Sequence, residues 1–221
     1  MPQSYFSPEA LTFLTQLKKN NRRPWFQKNK SRYDATIKEP CIRFISDFAI
    51  PLHDISPYLV ADPRKSMFRI YRDIRFSHDK KPYKTHVGLQ FGLRGPQGKD
   101  VHVPGYYLHM EPGDCGVYAG IWHPDNPTLL KIREAIVARP DEWKKVTRGF
   151  ELVGDTLSRP PHGFPKDHPL IEDLKRKDFM ITLPLEDDDI CSTRFMAQFT
   201  KACKKMAPLV QFVAKALDLK W

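Results

Sequence analysis

The chain has 221 residues and a mass of 25.7 kDa. That suits one compact domain, burying roughly 70% of its unfolded surface without disulfide or metal staples. Apolar residues make up 41%, aromatics 12% and charged residues 28%, which excludes collagen, coiled coil and wholesale disorder, while a net charge of +10 invites an anionic partner without naming one.

In chain order, Ser7-Pro8-Glu9 reads as a helix start, with Ser7 as cap and Glu9 at the positive end of the dipole. Leu11, Phe13, Leu14 and Leu17 follow at helical spacing. Pro24 opens a second helix, with Trp25, Asn29, Tyr33 and Ile37 four apart on one face. Glu39-Pro40 punctuates, and a third helix carries Ile42, Ile45, Phe48, Ala49 and Leu52. Strands are predicted over 67–76, 86–94, 105–111 and 115–122 from period-two alternation. The turn signals between them are His78-Asp79-Lys80, Gly95-Pro96-Gln97-Gly98 and Pro112-Gly113-Asp114. Helices are expected from Pro127 to Ala138 and from Pro140 to Thr156, each opened by proline. Residues 158–169 hold four prolines and read as an extended loop, followed by a fifth strand at 179–184. Glu186 to Asp189 reads as the acidic start of a helix, and a last helical region from Ser192 to Leu217 is kinked or divided at Pro208.

These elements predict an α+β fold: an antiparallel sheet of four to six strands with helices packed mainly on one face. One domain spans 1–221, with a basic helical segment at 1–57, an antiparallel meander at 58–122, and a helical region with one further strand at 123–221. The charge excess is local. Residues 18–43 carry nine basic and two acidic groups, and residues 62–84 carry eight and three, so the other residues sum to slightly less than zero. The cysteines Cys41, Cys115, Cys191 and Cys203 show no CxxC pairing, so a site of cysteines alone is not expected. No secretory signal or membrane-spanning run is read, and a cytoplasmic location is the default.

Alternation sorts the strands into two faces. One is almost wholly apolar: Phe68, Ile70, Ile74 and Phe76, then Val87, Leu89, Phe91 and Leu93, then Tyr106, Leu108 and Met110, then Val117, Ala119 and Ile121. The other holds Arg69, Tyr71, Asp73 and Arg75; His86, Gly88, Gln90, Gly92 and Arg94; Tyr107, His109 and Glu111; and Gly116, Tyr118, Gly120 and Trp122. A solvated face predicts Thr, Lys, Glu and Ser. Four glycines among Tyr, Trp, Arg and His suggest a low floor walled by polar side chains, hence a ligand cleft. Cover by the chain's own loops is the alternative, and one register slip would exchange the two faces. Arg72 falls in the apolar set, which calls for a bulge or a buried ion pair.

The run from Arg69 to Thr85 resembles the RxxRDxRFxxxKxxY signature of the DUF2461 family, matching it at Arg69, Arg72, Asp73, Arg75, Phe76, Lys80 and Tyr83. Asn21-Arg22-Arg23-Pro24-Trp25-Phe26 with Asn29, Lys30 and Tyr33 is similar to its N-terminal hallmark. Tyr106-Tyr107-Leu108, Gly120-Ile121-Trp122-His123-Pro124 and Arg159-Pro160 also resemble it. The likeness covers nearly the whole chain. It implies a cytoplasmic, mainly microbial protein and no particular activity.

Arginine presents a planar fork suited to carboxylate or phosphate. Arg69 and Arg75 on one strand face would flank an extended anion, Asp73 would orient either, and Lys80, Tyr83 and Lys84 would close one end. An Arg–Asp lattice locking sheet to helix fits the same residues. His109 with Glu111 or Asp73 makes an acid/base pair, the weak catalytic candidates. His109-x-Glu111, with His86 as a third donor, has no HExxH, CxxC or DxD companion, so no metal is assigned. No cofactor fingerprint is present. Cys115 reads as a packed thiol, and His102, His123, His162 and His168 as solvated loop residues.

The sequence therefore favours a pocket for a small anionic or polar ligand, bound by Arg69, Arg75, Lys80, Tyr83, Lys84, Tyr107, His109, Tyr118 and Trp122. A nucleic-acid-associated protein is the alternative, its basic helices tracking phosphates with Trp25, Phe26 and Tyr33 stacking on bases. A helical surface for a protein partner is a third. No membrane partner is expected.

Overall fold

Five antiparallel strands organise the chain in the computed structural model, which describes residues 4–94 and 103–221. They are β1 (Val87–Gly92), β2 (Gly105–Glu111), β3 (Asp114–Ile121), β4 (Glu151–Val153) and β5 (Phe179–Leu185), in the order β1-β2-β3-β5-β4. The predicted turn at Gly95 to Gly98 and His102 lie outside the described residues. The fold is α+β, and among the described residues no helix is long and apolar enough to cross a membrane.

Alternation does its expected work on β1, β2 and β3. Leu89, Phe91, Leu108, Met110, Val117 and Ala119 point to one face and are all buried. Helices α4 (Glu39–His53) and α9 (Phe195–Ala216) cover that face. Phe91 meets Phe48 at 4.9 Å and Phe199 at 5.9 Å between ring centroids, and Phe48 meets Phe199 at 4.9 Å. Helix α9 continues through Pro208, because Phe199, Cys203, Met206, Val210 and Val213 are buried along one stripe. That burial outweighs the one backbone bond a proline removes.

The N-terminal helices are α1 (Pro8–Lys19), α2 (Arg23–Lys28) and α3 (Lys30–Tyr33). Glu39-Pro40 does not break the chain here. A π turn over Asp34–Lys38 carries α3 into α4. Pro40 has no N–H for the carbonyl four residues earlier, and the ladder widens just before it. The block's cations are partly consumed internally. Lys30 pairs with Asp34, Arg32 with Glu9 and Gln16, and Lys18 with Glu111. Phe26 and Tyr33 are buried, so they are not presented for base stacking.

Two predicted elements are corrected. The expected helix from Pro140 to Thr156 stops early: α6 is Pro140–Thr147, and Gly149 at φ +77° turns the chain into β4 on the edge of β5. Only glycine takes that backbone cheaply. The predicted strand at 67–76 is not a strand. Its backbone touches β1 through a single bridge, Met67 with Leu89, and its later part folds on itself, Tyr71 opposite Tyr83. The reason lies in its aspartates. Asp73 accepts the N–H of Arg75, and Asp79 accepts the N–H of Lys81, each two residues ahead. Such side-chain turns compete with a strand ladder. Phe76 is consequently 94% exposed and Phe68 is exposed too, although alternation assigns both to the core face. Arg72 pairs with Asp79 at 2.8 Å in a half-exposed position rather than a buried one.

The remaining helices are α5 (Asn126–Ala138), α7 (Ile171–Leu174) and α8 (Asp187–Cys191). Helix α8 starts at the acidic run, with Glu186 and Asp189 forming a reciprocal capping box.

A cavity on the polar face of the sheet

The face opposite the helices carries a cavity of about 690 Å³. Its floor is set by strand register. Gln90 of β1, Tyr107 of β2, Tyr118 of β3 and Thr182 of β5 form one row across the sheet. In the next row His109 stands between Gly88 and Gly116. The pair Val87 and Met110 places His86 and Glu111 beside each other at the end of the same face. Phe68, Lys84, Val103, Trp122 and His123 form the walls, and Gly105, Tyr106, Gly120 and Met180 also line it.

The glycines do not form an open floor, as the sequence suggests. A side chain at Gly88 would collide with the Tyr107 ring, and one at Gly92 with Val103. At Gly116 the nearest groups are the Leu183 carbonyl and the Tyr118 ring, both at 3.3 Å. The missing side chains let Tyr107 and Tyr118 lie down across the sheet. Gly120 is different: at φ +129° a Cβ there would strike the Phe179 carbonyl, so the backbone itself demands glycine.

Of the sequence-predicted ligand residues, Lys84, Tyr107, His109, Tyr118 and Trp122 line the cavity. Arg69, Arg75, Lys80 and Tyr83 do not. Arg75 is 76% exposed and grips Asp73 through Nε at 3.0 Å and Nη2 at 2.7 Å. That pairing, with the Arg75 backbone N–H, holds the Asp73 carboxyl down at about 2 and occupies it away from His109. Lys80 donates to the Ile74 carbonyl at 3.0 Å, capping its own loop. Tyr83 is buried, stacked on Phe26 at 4.2 Å, while Asn21 holds its backbone N–H and C=O at 3.0 and 2.9 Å. The signature's tyrosine thus pins the sheet to the helical hallmark around Asn21 and Phe26.

Burial shapes the ionisation of the cavity. It pushes the Tyr107 hydroxyl up to about 12, with Tyr118 adding to the effect, and so keeps it a proton donor. Burial, then Arg69, pulls the Lys84 ammonium down, and its Nζ stands 5.1 Å from the Phe68 ring centre. His86 is lowered to about 4 by burial first and by neighbouring His109 and Lys84, opposed by Glu111 and Asp114. His109 is lowered by burial against the pull of Asp114 and Glu111. Burial alone would raise the Glu111 carboxyl, but Lys18, Thr85 and His86 together hold it low. The acid/base partners His109 and Glu111 approach to 3.8 Å, Nε2 to Oε2.

The His86 shift has a consequence for stability. Below its ordinary value of 6.5 the unfolded chain takes up a proton that the folded protein refuses until about 4. Stability is therefore complete above that window and falls as pH drops through it. We expect His86→Gln to flatten the loss of urea midpoint between pH 7 and pH 5, His109 retaining part of it. An unchanged slope in the variant would refute this.

The sequence places His86 and Gln90 on the polar face, and offers His86 only as a third donor beside His109 and Glu111; both line the cavity. His123, a loop histidine by sequence, lines it too, from a left-handed backbone at φ 44°. Fully buried Asp178 holds it there, accepting the His123 N–H at 2.7 Å and the Asp155 N–H at 2.9 Å. No local pattern marks that contact, which joins residues 55 apart in sequence. Cys115 is a packed thiol, raised to about 12 by burial and by Asp187.

The family model described as "Conserved hypothetical protein (DUF2461)" matches residues 9–212, from the first helix to within α9. No curated protein and no solved structure matches the chain. The match takes in the signature, its Asn21–Tyr83 clasp and every wall of the cavity, and the chain belongs to the DUF2461 family, whose function is unknown.

Proposed function

We propose that the protein binds a small molecule with a flat apolar body and an anionic or polar group in the cavity on the polar face of the sheet. The single observation that carries this reading is the cavity itself. It has about 690 Å³ of space, with rings of Phe68, Tyr107, Tyr118 and Trp122 about it and Lys84, His86 and His109 at one end. That volume falls within the range of small-molecule sites, about 300–1,000 Å³. Aromatic walls bind flat apolar surface, and a partly desolvated ammonium beside donor groups suits a carboxylate, sulfonate or phosphate. Trp122, packed edge-on against His123 at 4.5 Å, is still 52% exposed and leaves much of its indole open beside the cavity.

A thermal-melt panel on the full chain tests the reading. Aromatic carboxylates such as 2-naphthoate should raise the melting temperature, whereas acetate should not. At a hundredfold excess over Kd the gain is about 2.7 kcal/mol, or roughly 5–10 °C for a domain of this size. Trp122→Ala should remove most of that gain. Absence of any shift with millimolar aromatic acids, or an equal shift in the variant, would count against the cavity.

A further inference from the structure

We propose that His86, His109 and Glu111 bind one divalent first-row transition-metal ion, of the zinc type, whose open coordination positions face the sheet cavity. The inference shares the cavity, and with it His86 and His109, with the functional reading above and adds Glu111. One ring nitrogen of each histidine and one carboxylate oxygen lie within 4.8 Å of one another. This is the only such group of three among the described residues. Two imidazoles and a carboxylate are the donor set of open zinc sites and of related iron and manganese sites.

The backbone builds the cluster. Antiparallel register brings the residue before β1 opposite the last residue of β2, and His109 is two residues back on the same face. Gly88 and Gly116 flank His109 on the neighbouring strands, so no Cβ stands beside its ring from either side. The two imidazoles lie 4.6 Å apart at 38°, and the His86 ring makes no hydrogen bond among the described residues.

Glu111 is already oriented. Lys18 Nζ donates to its Oε1 at 3.0 Å and Thr85 Oγ1 donates to the same oxygen at 3.2 Å. Oε2 is left facing His109 Nε2 at 3.8 Å, beyond hydrogen-bond length. A structural His–Glu pair would close that gap. A carboxylate with one oxygen held by outer groups and the other turned to an imidazole, with a second imidazole in the same cluster, is instead the arrangement that outer-shell partners give a metal ligand. Zinc bonds of about 2.0–2.2 Å set tetrahedral donors about 3.3 Å apart, so side-chain rotations alone draw these three together. Because His86 and His109 line the cavity, a fourth ligand would come from water or from an anionic group bound there.

The test uses the full chain freed of metal with a chelator. Zn²⁺ is titrated calorimetrically, and Co²⁺ is followed by its visible absorption. One equivalent of each ion should bind, with a tetrahedral or five-coordinate cobalt spectrum. His109→Ala and His86→Gln should weaken binding by about a hundredfold or more, while Lys18→Met, which frees the outer oxygen of Glu111, should weaken it by about tenfold. His162→Ala, in a distant loop, should leave it unchanged. Circular dichroism checks each variant's fold, and Glu111→Gln serves as the isosteric variant if an alanine unfolds the chain. Substoichiometric binding, or equal affinity in folded His109→Ala and Glu111→Gln, would overturn the inference. Metal-free protein that still binds 2-naphthoate but no metal would remove this site and leave the cavity reading standing. Metal binding without any aromatic acid bound would do the reverse.

Discussion

Asp178→Ala should cost about 3 kcal/mol or more of stability and should also weaken binding in the cavity. Asp178 is fully buried, and its two oxygens accept the N–H groups of His123 and Asp155. Alanine removes both hydrogen bonds to the buried carboxylate, and bonds to a charged group are worth about 1.5–3 kcal/mol each. One of the bonds also holds an unfavourable backbone, His123 at φ 44°. A left-handed residue other than glycine persists only when its surroundings fix it. With the clamp gone, His123 and neighbouring Trp122 lose their place in the cavity wall. Asp178→Asn keeps one acceptor and should fall between alanine and the natural residue. Urea unfolding checks the stability and calorimetry with 2-naphthoate the binding. A loss under about 1 kcal/mol for alanine would show that the clamp is not needed.

The second large effect separates the two halves of the family signature. Tyr83→Ala removes a buried ring stacked on Phe26 and opens the contact between the sheet and α2. Large-to-small changes of this kind cost about 3–5 kcal/mol. The expected drop in melting temperature is roughly 6–20 °C. Arg75→Met should leave the melting temperature unchanged, because Arg75 stands in solvent and its partners, Asp73 and the Phe76 ring, are exposed too. Similar losses for both would mean that the Arg–Asp segment is as structural as the tyrosine. Asn21→Ala, which deletes both bonds to the Tyr83 backbone, should act in the direction of Tyr83→Ala.

The sheet was legible where alternation met an apolar core. Leu89, Phe91, Leu108 and Val117 could only point one way, and that fixed Tyr107, His109 and Tyr118 on the other face. The segment from 67 to 76 alternates equally well, yet Asp73 and Asp79 capture backbone N–H groups and curl it out of the ladder. The charge excess over residues 62–84 reads as an anion site, and three of its eight cations are held within their own loop, Arg72 by Asp79, Arg75 by Asp73 and Lys80 by a carbonyl. Only Lys84, at the loop's end, reaches the cavity. Glycine content pointed to the face that carries the cavity, although Gly88 and Gly116 make room for the chain's own tyrosines rather than an open floor. The approach of His86 to Glu111 depends on which residues of β1 and β2 are paired, and spacing along the chain does not encode that. His123 and Asp178 meet across a turn with no sequence signal at all.

An anionic ligand held by the cavity and not by the arginine signature should depend on Lys84 and not on Arg75. Calorimetric titration of 2-naphthoate into the natural chain, Lys84→Met and Arg75→Met measures this directly. Loss of a charge-assisted hydrogen bond worth about 1.5–3 kcal/mol predicts a dissociation constant raised about tenfold or more in Lys84→Met. Arg75→Met should match the natural chain. Weakened binding in Arg75→Met with unchanged binding in Lys84→Met would contradict the account and return the site to the signature.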